Sequence, residues 1–296
     1  MATDNLNKWI NGIPYELAFW NNVMRWKRGF DGLMGWSRYG KEIKLENFDV
    51  QSFLASRCDA VVLDVGSGMS FSPGDHLMLP DGTLKKLDIR YIDPLAEYYN
   101  DIKRRHHRNI PDVEFGMLEY LSAFYPKGAD LIHIQNALDH SSRPLKGIYE
   151  AIECLKIGGI LYLNHHPNEA EAERYKGFHQ YNIINENETL VLWNKSEKHI
   201  LNELIKEFAD IEVSRADNGH VIAIITKKTD LPKELLTTNK DRNDLANLLM
   251  AQNKIHNSLL SSISYIAQYW IYNCIHFIVQ GLPWEWRMKM KEILKR

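Results

Sequence analysis

Apolar positions near the start of the chain recur at helical spacing. In Pro14–Trp26, Leu17, Trp20, Val23 and Met24 fall on one face, which predicts an amphipathic helix. Its face is aromatic-rich, and the expected role is a lid that packs on a main domain and closes its site. From residue 60 the pattern changes to short runs apolar at nearly every position. Ala60–Val65, Leu87–Ile92, Val113–Phe115, Leu131–Gln135 and Ile160–Asn164 read as strands, and 94–105, 144–155 and 198–209 read as helices. Strands apolar on both faces need helices on both sides, and strand–helix alternation predicts a parallel, doubly wound sheet. Ile211–Ser214 and Val221–Thr226 flank Asp217-Asn218-Gly219, a hairpin signal that predicts an antiparallel strand at the end of the sheet. Residues 72–88 read as an insertion folded as a hairpin about Asp81-Gly82.

The character changes after Lys228. Residues 229–257 are polar and helix-prone, and 257–284 hold no Asp, Glu, Lys or Arg. Leu259, Ile263, Ile266, Trp270, Cys274, Phe277 and Ile278 form an apolar stripe at helical spacing, but Ser261, Ser262, Ser264, Gln268, Asn273 and Gln280 make the segment too polar to cross a membrane. A basic end comes next, with Arg287, Lys289, Lys291, Lys295 and Arg296 against Glu285 and Glu292. The expected organisation is a helical arm or lid (1–50), an α/β domain (51–228) and a helical extension (229–296).

Composition narrows the function classes. The chain of 296 residues is 45% hydrophobic and 25% charged, which is globular, and its formal charge of −2 offers no basic field for nucleic acid. Cys58, Cys154 and Cys274 lie far apart, so neither a disulfide framework nor a zinc ribbon is expected. The start of the chain lacks the pattern of a secretory leader, and a reducing cytoplasm is the expected setting.

The chemistry begins at VVLDVGSGMS, residues 61–70. A strand delivers Asp64, then Gly66 and Gly68 allow a tight turn and close backbone approach to a ligand. Dinucleotide binding would want a third glycine where Phe71 stands, and no GxxxxGK loop is present. The second strand ends at Asp93, whose two oxygens can accept both hydroxyls of a ribose. The third leads to Glu119, placed to meet an adenine amine. The fourth ends in Gln135-Asn136-Ala137-Leu138-Asp139-His140, with Asn136 beside the rest of the cofactor, and Gly158-Gly159 precede the fifth.

This acidic-x-Gly-x-Gly loop, with an acid ending the next strand, resembles motif I and its surroundings in class I S-adenosylmethionine-dependent methyltransferases. IDPLAEYYN, QNALDHSSRPLKGIYEAIECLKIGG and NHHPNEAEAERYKGFHQYN look like a bacterial branch loosely linked to cell-surface polysaccharide gene sets. The resemblance spans residues 10–228. It implies a Rossmann-like, mostly parallel seven-stranded sheet, S-adenosyl-L-methionine as methyl donor, and S-adenosyl-L-homocysteine as product. Departures are Ser70 for glycine and the insertion before the second strand. Asp64, Gly66, Gly68, Asp93, Glu119 and Asn136 are the expected cofactor residues.

After the fifth strand, 164–182 gather His165, His166, Glu169, Glu173, His179 and Gln180, with His140 near from the fourth. Methyl transfer to an alcohol needs a group that removes the proton, and an imidazole does this near neutral pH. His140, His165, His166 and His179 are the candidate bases, unranked. Their spacing matches no zinc motif such as HExxH and no metal is assigned, although His and Glu so spaced could ligate a divalent ion that binds sugar hydroxyls, a reading left open. The expected activity is O-methylation of a sugar, glycan or polysaccharide intermediate. The alternatives are methylation of a small metabolite or lipid, or a non-catalytic scaffold that retains the fold. Residues 257–296 are open to three roles: packing on the main domain or in a homodimer, docking to a partner protein, or lying on the inner membrane face.

Overall fold

A computed structural model describes residues 2–257, 259–283, 285–287 and 289. Trp284, Lys291, Glu292, Lys295 and Arg296, and the side chains of Leu259, Ser261, Ser262 and Ser264, lie outside the described residues. The chain opens with α1 (Ala2–Arg25), α2 (Lys27–Trp36) and the short α3 (Val50–Ala55). Then come β1 (Val61–Val65), β2 (His76–Met78), β3 (Leu84–Lys86), β4 (Asp88–Asp93), α4 (Ala96–Arg105) and β5 (Glu114–Phe115). After α5 (Leu121–Phe124) lie β6 (Ala129–Gln135), α6 (Pro144–Cys154), β7 (Leu155–His165) and α7 (Glu169–Ala172). A second β segment holds β8 (Asn182–Glu186), β9 (Thr189–Trp193) and β10 (Lys198–Ile200), and α8 (Leu201–Ile205) leads to β11 (Ala209–Arg215) and β12 (Val221–Lys227). Helices α9 (Asn239–Asn257) and α10 (Leu259–Gly281) complete the described elements.

The main sheet has seven strands in the order β11-β12-β7-β6-β1-β4-β5. All pairings among β7, β6, β1, β4 and β5 are parallel, and only β12 runs against its neighbours. This is the doubly wound, Rossmann-like sheet that the alternation predicts. Alternate residues of one strand serve opposite faces. Leu63 and Val65 of β1 join the cluster that holds Ile148 and Ile152 of α6, while Val62 joins the one that holds Val50 and Leu54 of α3. The order reverses between β1 and β6, and a crevice opens beyond the carboxyl ends of strands at such a switch point.

The hairpin expected in 72–88 is present as β2 and β3. Two corrections concern the chain beyond β7. The helix expected over 198–209 is only α8, because 198–200 pair with β9 as β10. The sheet β8-β9-β10 was not anticipated. Its hairpin turns through Asn187 and Glu188, both at positive φ, and glutamate there gives none of the usual Asn-Gly signal.

The face expected on α1 packs inward: Leu17, Trp20, Val23 and Met24 are all buried, in a cluster with Tyr99 and Ile102 of α4. Helix α10 lies along α1, so the first and last long helices form one layer. The expected apolar stripe exists, but it is not the surface that packs. Asn273, His276 and Gln280 are buried, while Ile263, Ile266, Trp270, Phe277 and Ile278 are exposed. Asn273 Oδ1 accepts from Asn21 and Asn22 of α1 at 2.8 and 2.9 Å, and the His276 ring sits between Tyr15 and Phe19. Paired amides satisfy one another away from water, so this contact can be polar. Among the described residues no helix is long and apolar enough to cross a membrane.

Candidate active site

The crevice has two sides. The first is built from backbone. β1 ends in Gly66 at φ +70° and Gly68 at φ +51°. Gly66 N–H and Ser67 N–H donate to the Ile92 carbonyl at 2.8 and 3.2 Å, which ties the turn to β4. A Cβ on Gly66 would lie 2.3 Å from the Ala137 Cβ, and one on Gly68 would lie 3.0 Å from the Trp20 ring. Glycine is therefore required twice, by dihedral angle and by space. Trp20 thus sets α1 against this loop.

Asp93 sits at the end of β4, buried. Its Oδ2 accepts from Gly68 N–H at 3.1 Å and its Oδ1 from Leu95 N–H at 2.8 Å. Burial pushes its pKa up to about 7, against those two hydrogen bonds, with Glu16 and Asp64 adding repulsion. Each oxygen keeps a further lone pair for a hydroxyl donor. Asp64 faces its sheet neighbour His133, whose Nδ1 lies 2.7 Å from Asp64 Oδ1. Asp64 Oδ2 is buried without a partner, an acceptor that suits an ammonium group.

The second side is built from side chains. Ala137, against Gly66, starts a single turn that carries Asp139 and His140. Asp139 is buried, and its Oδ2 lies 2.7 Å from His179 Nδ1 and 3.6 Å from His140 Nε2. The His140 and His179 rings meet edge to face at 4.5 Å. Burial would raise the Asp139 carboxyl, but the charge of His140 and the hydrogen bond from His179 hold it well below the usual carboxylate range. Burial would likewise lower His179, yet the bond and attraction to Asp139, helped by Glu169 and Glu173, raise it above an ordinary imidazole. An ionised carboxylate only accepts, so His179 Nδ1 carries the proton and Nε2 is the nitrogen left able to accept one. The loop bearing His179 is fastened to both partners: Gln180 N–H donates to the Asp139 carbonyl at 3.2 Å, and Phe178 stacks on Trp9 of α1 at 5.4 Å.

The other expected residues take different places. Glu119 Oε1 accepts from Ser141 Oγ, Ser142 N–H and Ser142 Oγ at 2.8 to 2.9 Å, so this carboxylate holds the loop after Asp139 and His140. Asn136, at φ +49°, accepts from His166 N–H at 3.0 Å and pins β6 to the end of β7. His165 is 1% exposed with neither ring nitrogen hydrogen-bonded, and burial drives its pKa down to about 3. His166 is exposed and leaves the cluster to meet His220, whose ring is 3.9 Å away. Of the four candidate bases, the structure brings His140 and His179 together. The residue that sequence reasoning missed is Asp139, an acid next to a histidine at the end of the fourth strand. Asp139, His140 and His179 also present ligating atoms within 4.8 Å of one another.

No protein-family model matches this sequence, and no curated protein matches it. Similar solved structures include an rRNA methylase from Streptococcus thermophilus, at 15% identity and TM-score 0.37, over 63% of this chain and 99% of that one. A putative methyltransferase in complex with the Trm112 activator from Haloferax volcanii is 14% identical with TM-score 0.38, over 61% and 89% of the two chains. An S-adenosylmethionine-dependent methyltransferase from Clostridium acetobutylicum is 13% identical with TM-score 0.36, over 60% and 91%.

Proposed function

We propose that this protein is an S-adenosylmethionine-dependent methyltransferase acting on a hydroxyl of a sugar or glycan intermediate. The observation that carries the reading is the Asp139–His179 pair standing beside the Gly66–Gly68 turn, joined to it through Ala137. Bound S-adenosylmethionine supplies a methyl group on a positively charged sulfur. Asp93 would accept the ribose hydroxyls, and the unpaired Asp64 Oδ2 suits the cationic ammonium of the methionine part. Glu119, bonded to Ser141 and Ser142, positions the acceptor-side loop rather than waiting for an adenine.

On the acceptor side, His179 Nε2 would take the proton of the attacking hydroxyl as its oxygen bonds the methyl carbon and the methyl–sulfur bond breaks, releasing S-adenosylhomocysteine. Asp139 fixes the imidazole tautomer and stabilises the charge that His179 gains, a division of labour familiar from hydrolase triads. His140 packs edge-on and holds His179 in orientation. Trp20 beside Gly68 and Phe178 beside His140 set apolar rings at the two sides, which would favour a dry setting for a sulfonium donor. His165, neutral and sealed beneath, takes no proton in this scheme.

The test is calorimetric titration of the protein and of Asp93→Ala with S-adenosylhomocysteine, then methyl transfer from labelled donor to sugar and glycan acceptors. Micromolar binding weakened about tenfold by Asp93→Ala fits loss of a charge-assisted hydrogen bond. Absence of binding by the parent protein overturns the reading and leaves a scaffold that keeps the fold. Turnover on lipid headgroups alone moves the acceptor to the lipid class, a second reading favoured by the exposed apolar face of α10.

A further inference from the structure

Helix α10 is inside out. In a globular domain the apolar stripe of a surface helix faces the core and its polar stripe faces water. Here the buried positions are Asn273, His276 and Gln280, and the outward positions include Ile263, Ile266, Trp270, Ile271, Ile275 and Ile278. Trp270 and Ile278 are 59% and 61% exposed. The helix runs 23 residues, about 35 Å at the usual rise, and no charged residue interrupts 257–284. A contiguous apolar face of this extent marks a contact surface.

The surrounding charge says what it contacts. The arginines at one end of α10 lie close together: the Arg25 guanidinium sits 5.7 Å from the Phe277 ring, and Arg287 donates to Gln280 Oε1 at 2.6 Å and feels the charge of Arg28. Among the described residues there, Arg25, Lys27, Arg28, Arg287 and Lys289 stand against Asp31 and Glu285, although the whole chain has 36 basic and 38 acidic residues. The apolar face is thus bordered by a basic rim on an otherwise acidic protein. Trp286, 59% exposed, stands in that rim with Lys289 over its ring.

We infer that α10 lies in the plane of an anionic lipid bilayer, its Ile and Trp side chains seated among the acyl chains and its basic rim on the headgroups. The chemistry matches an interfacial helix: apolar bulk on one side, tryptophan at the boundary and cations within reach of lipid phosphates. The helix is too polar to span the bilayer instead. A second copy packed antiparallel would cover the apolar stripe but set each basic end against the uncharged far end of the other α10, so the cations would find no partner there. The polar face that an isolated interfacial helix turns to water is here turned to Asn21 and Asn22, so the domain carries the helix as a fixed blade. This goes beyond the methyltransferase reading, and its test needs no methyl donor.

The test is co-sedimentation of the full chain with vesicles of phosphatidylcholine alone and of equimolar phosphatidylcholine and phosphatidylglycerol. Binding to the mixed vesicles, weak or absent on phosphatidylcholine and falling with added salt, is the expected result. The triple substitution Ile271→Asp, Ile275→Asp, Ile278→Asp changes only exposed side chains and lowers lipid partition at least about tenfold while circular dichroism stays unchanged. Should that variant lose structure, Lys27→Glu with Lys289→Glu tests the rim alone and weakens binding to mixed vesicles several-fold. Failure to sediment with mixed vesicles overturns the inference. So does a dimer in light scattering that the triple substitution converts to monomer without any effect on lipid, which would assign the face to a second copy.

Discussion

The two sides of the crevice are made of different material. The glycine turn and Asp93 are held by main-chain hydrogen bonds, to Ile92 and from Gly68 and Leu95. The Asp139–His140–His179 side is held by side chains drawn from a turn after β6 and a loop after α7. A backbone-built surface leaves marks in sequence, because only certain residues tolerate its dihedral angles. A side-chain cluster is assembled by the fold from distant positions, so its members look ordinary until they meet. The first side offers main-chain shape, and the second a buried carboxylate paired with an imidazole.

The sharpest way to break this contrast is at Gly66. Gly66→Ala places a methyl group against Ala137 at positive φ, and should remove S-adenosylhomocysteine binding with a loss of roughly 1–3 kcal/mol in stability. Calorimetry and chemical denaturation read the two effects. If the alanine variant binds normally, the backbone side is not what holds the ligand.

Next in size is Asp139→Asn. It keeps shape but removes the charge that fixes His179, and kcat should fall by about 10²–10⁴ with ligand affinity nearly unchanged. The pH profile sharpens the assignment. The His179 pKa is raised, so the rate should climb with pH through a midpoint above about 6.5 as the imidazole sheds its proton. Asp139→Asn should move that midpoint toward acid. A midpoint unmoved by the substitution would place the base elsewhere.

His165 and His179 form a smaller contrast within the second side, two imidazoles shifted in opposite directions. The folded pKa of His165 is about 3, below its unfolded value, so its contribution to stability is intact above about pH 6.5 and is lost as pH falls toward 3. The loss is up to about 2 kcal/mol near pH 5. His165→Leu should flatten this dependence, measured as denaturation midpoints at neutral and mildly acid pH. The smallest effect belongs to His166→Ala: its exposed ring lies outside the pair, and turnover should stay within about twofold of the parent.

Legibility in the sequence divides along the same line. The strands of the sheet and the Gly66-Ser67-Gly68 turn were visible because apolar runs and glycine obey local rules. The β8-β9-β10 sheet was not, since Glu188 takes a conformation that glycine normally signals. Asp139 was hidden among four histidines, because its partner His179 lies 40 residues away and only the meeting of the two loops selects the pair. Glu119 shows the opposite: the end of a third strand is a conventional place for a ligand contact, and its bonds from Ser141 and Ser142 to Oε1 could not be read from spacing. The stripe on α10 was legible as a period, whereas its direction was decided by Asn21 and Asn22, 252 and 251 positions before Asn273.

Trp20 and Asn21 are consecutive residues of α1. One rests on Gly68 and the other bonds Asn273 of α10. A tilt that lifted α1 from the glycine turn would therefore also move Asn21, which bonds Asn273 of α10. Two occupancies that share one lever are thermodynamically linked, and linkage is symmetrical. Whatever factor a docked α10 imposes on affinity at the glycine turn, occupancy of that turn imposes on docking.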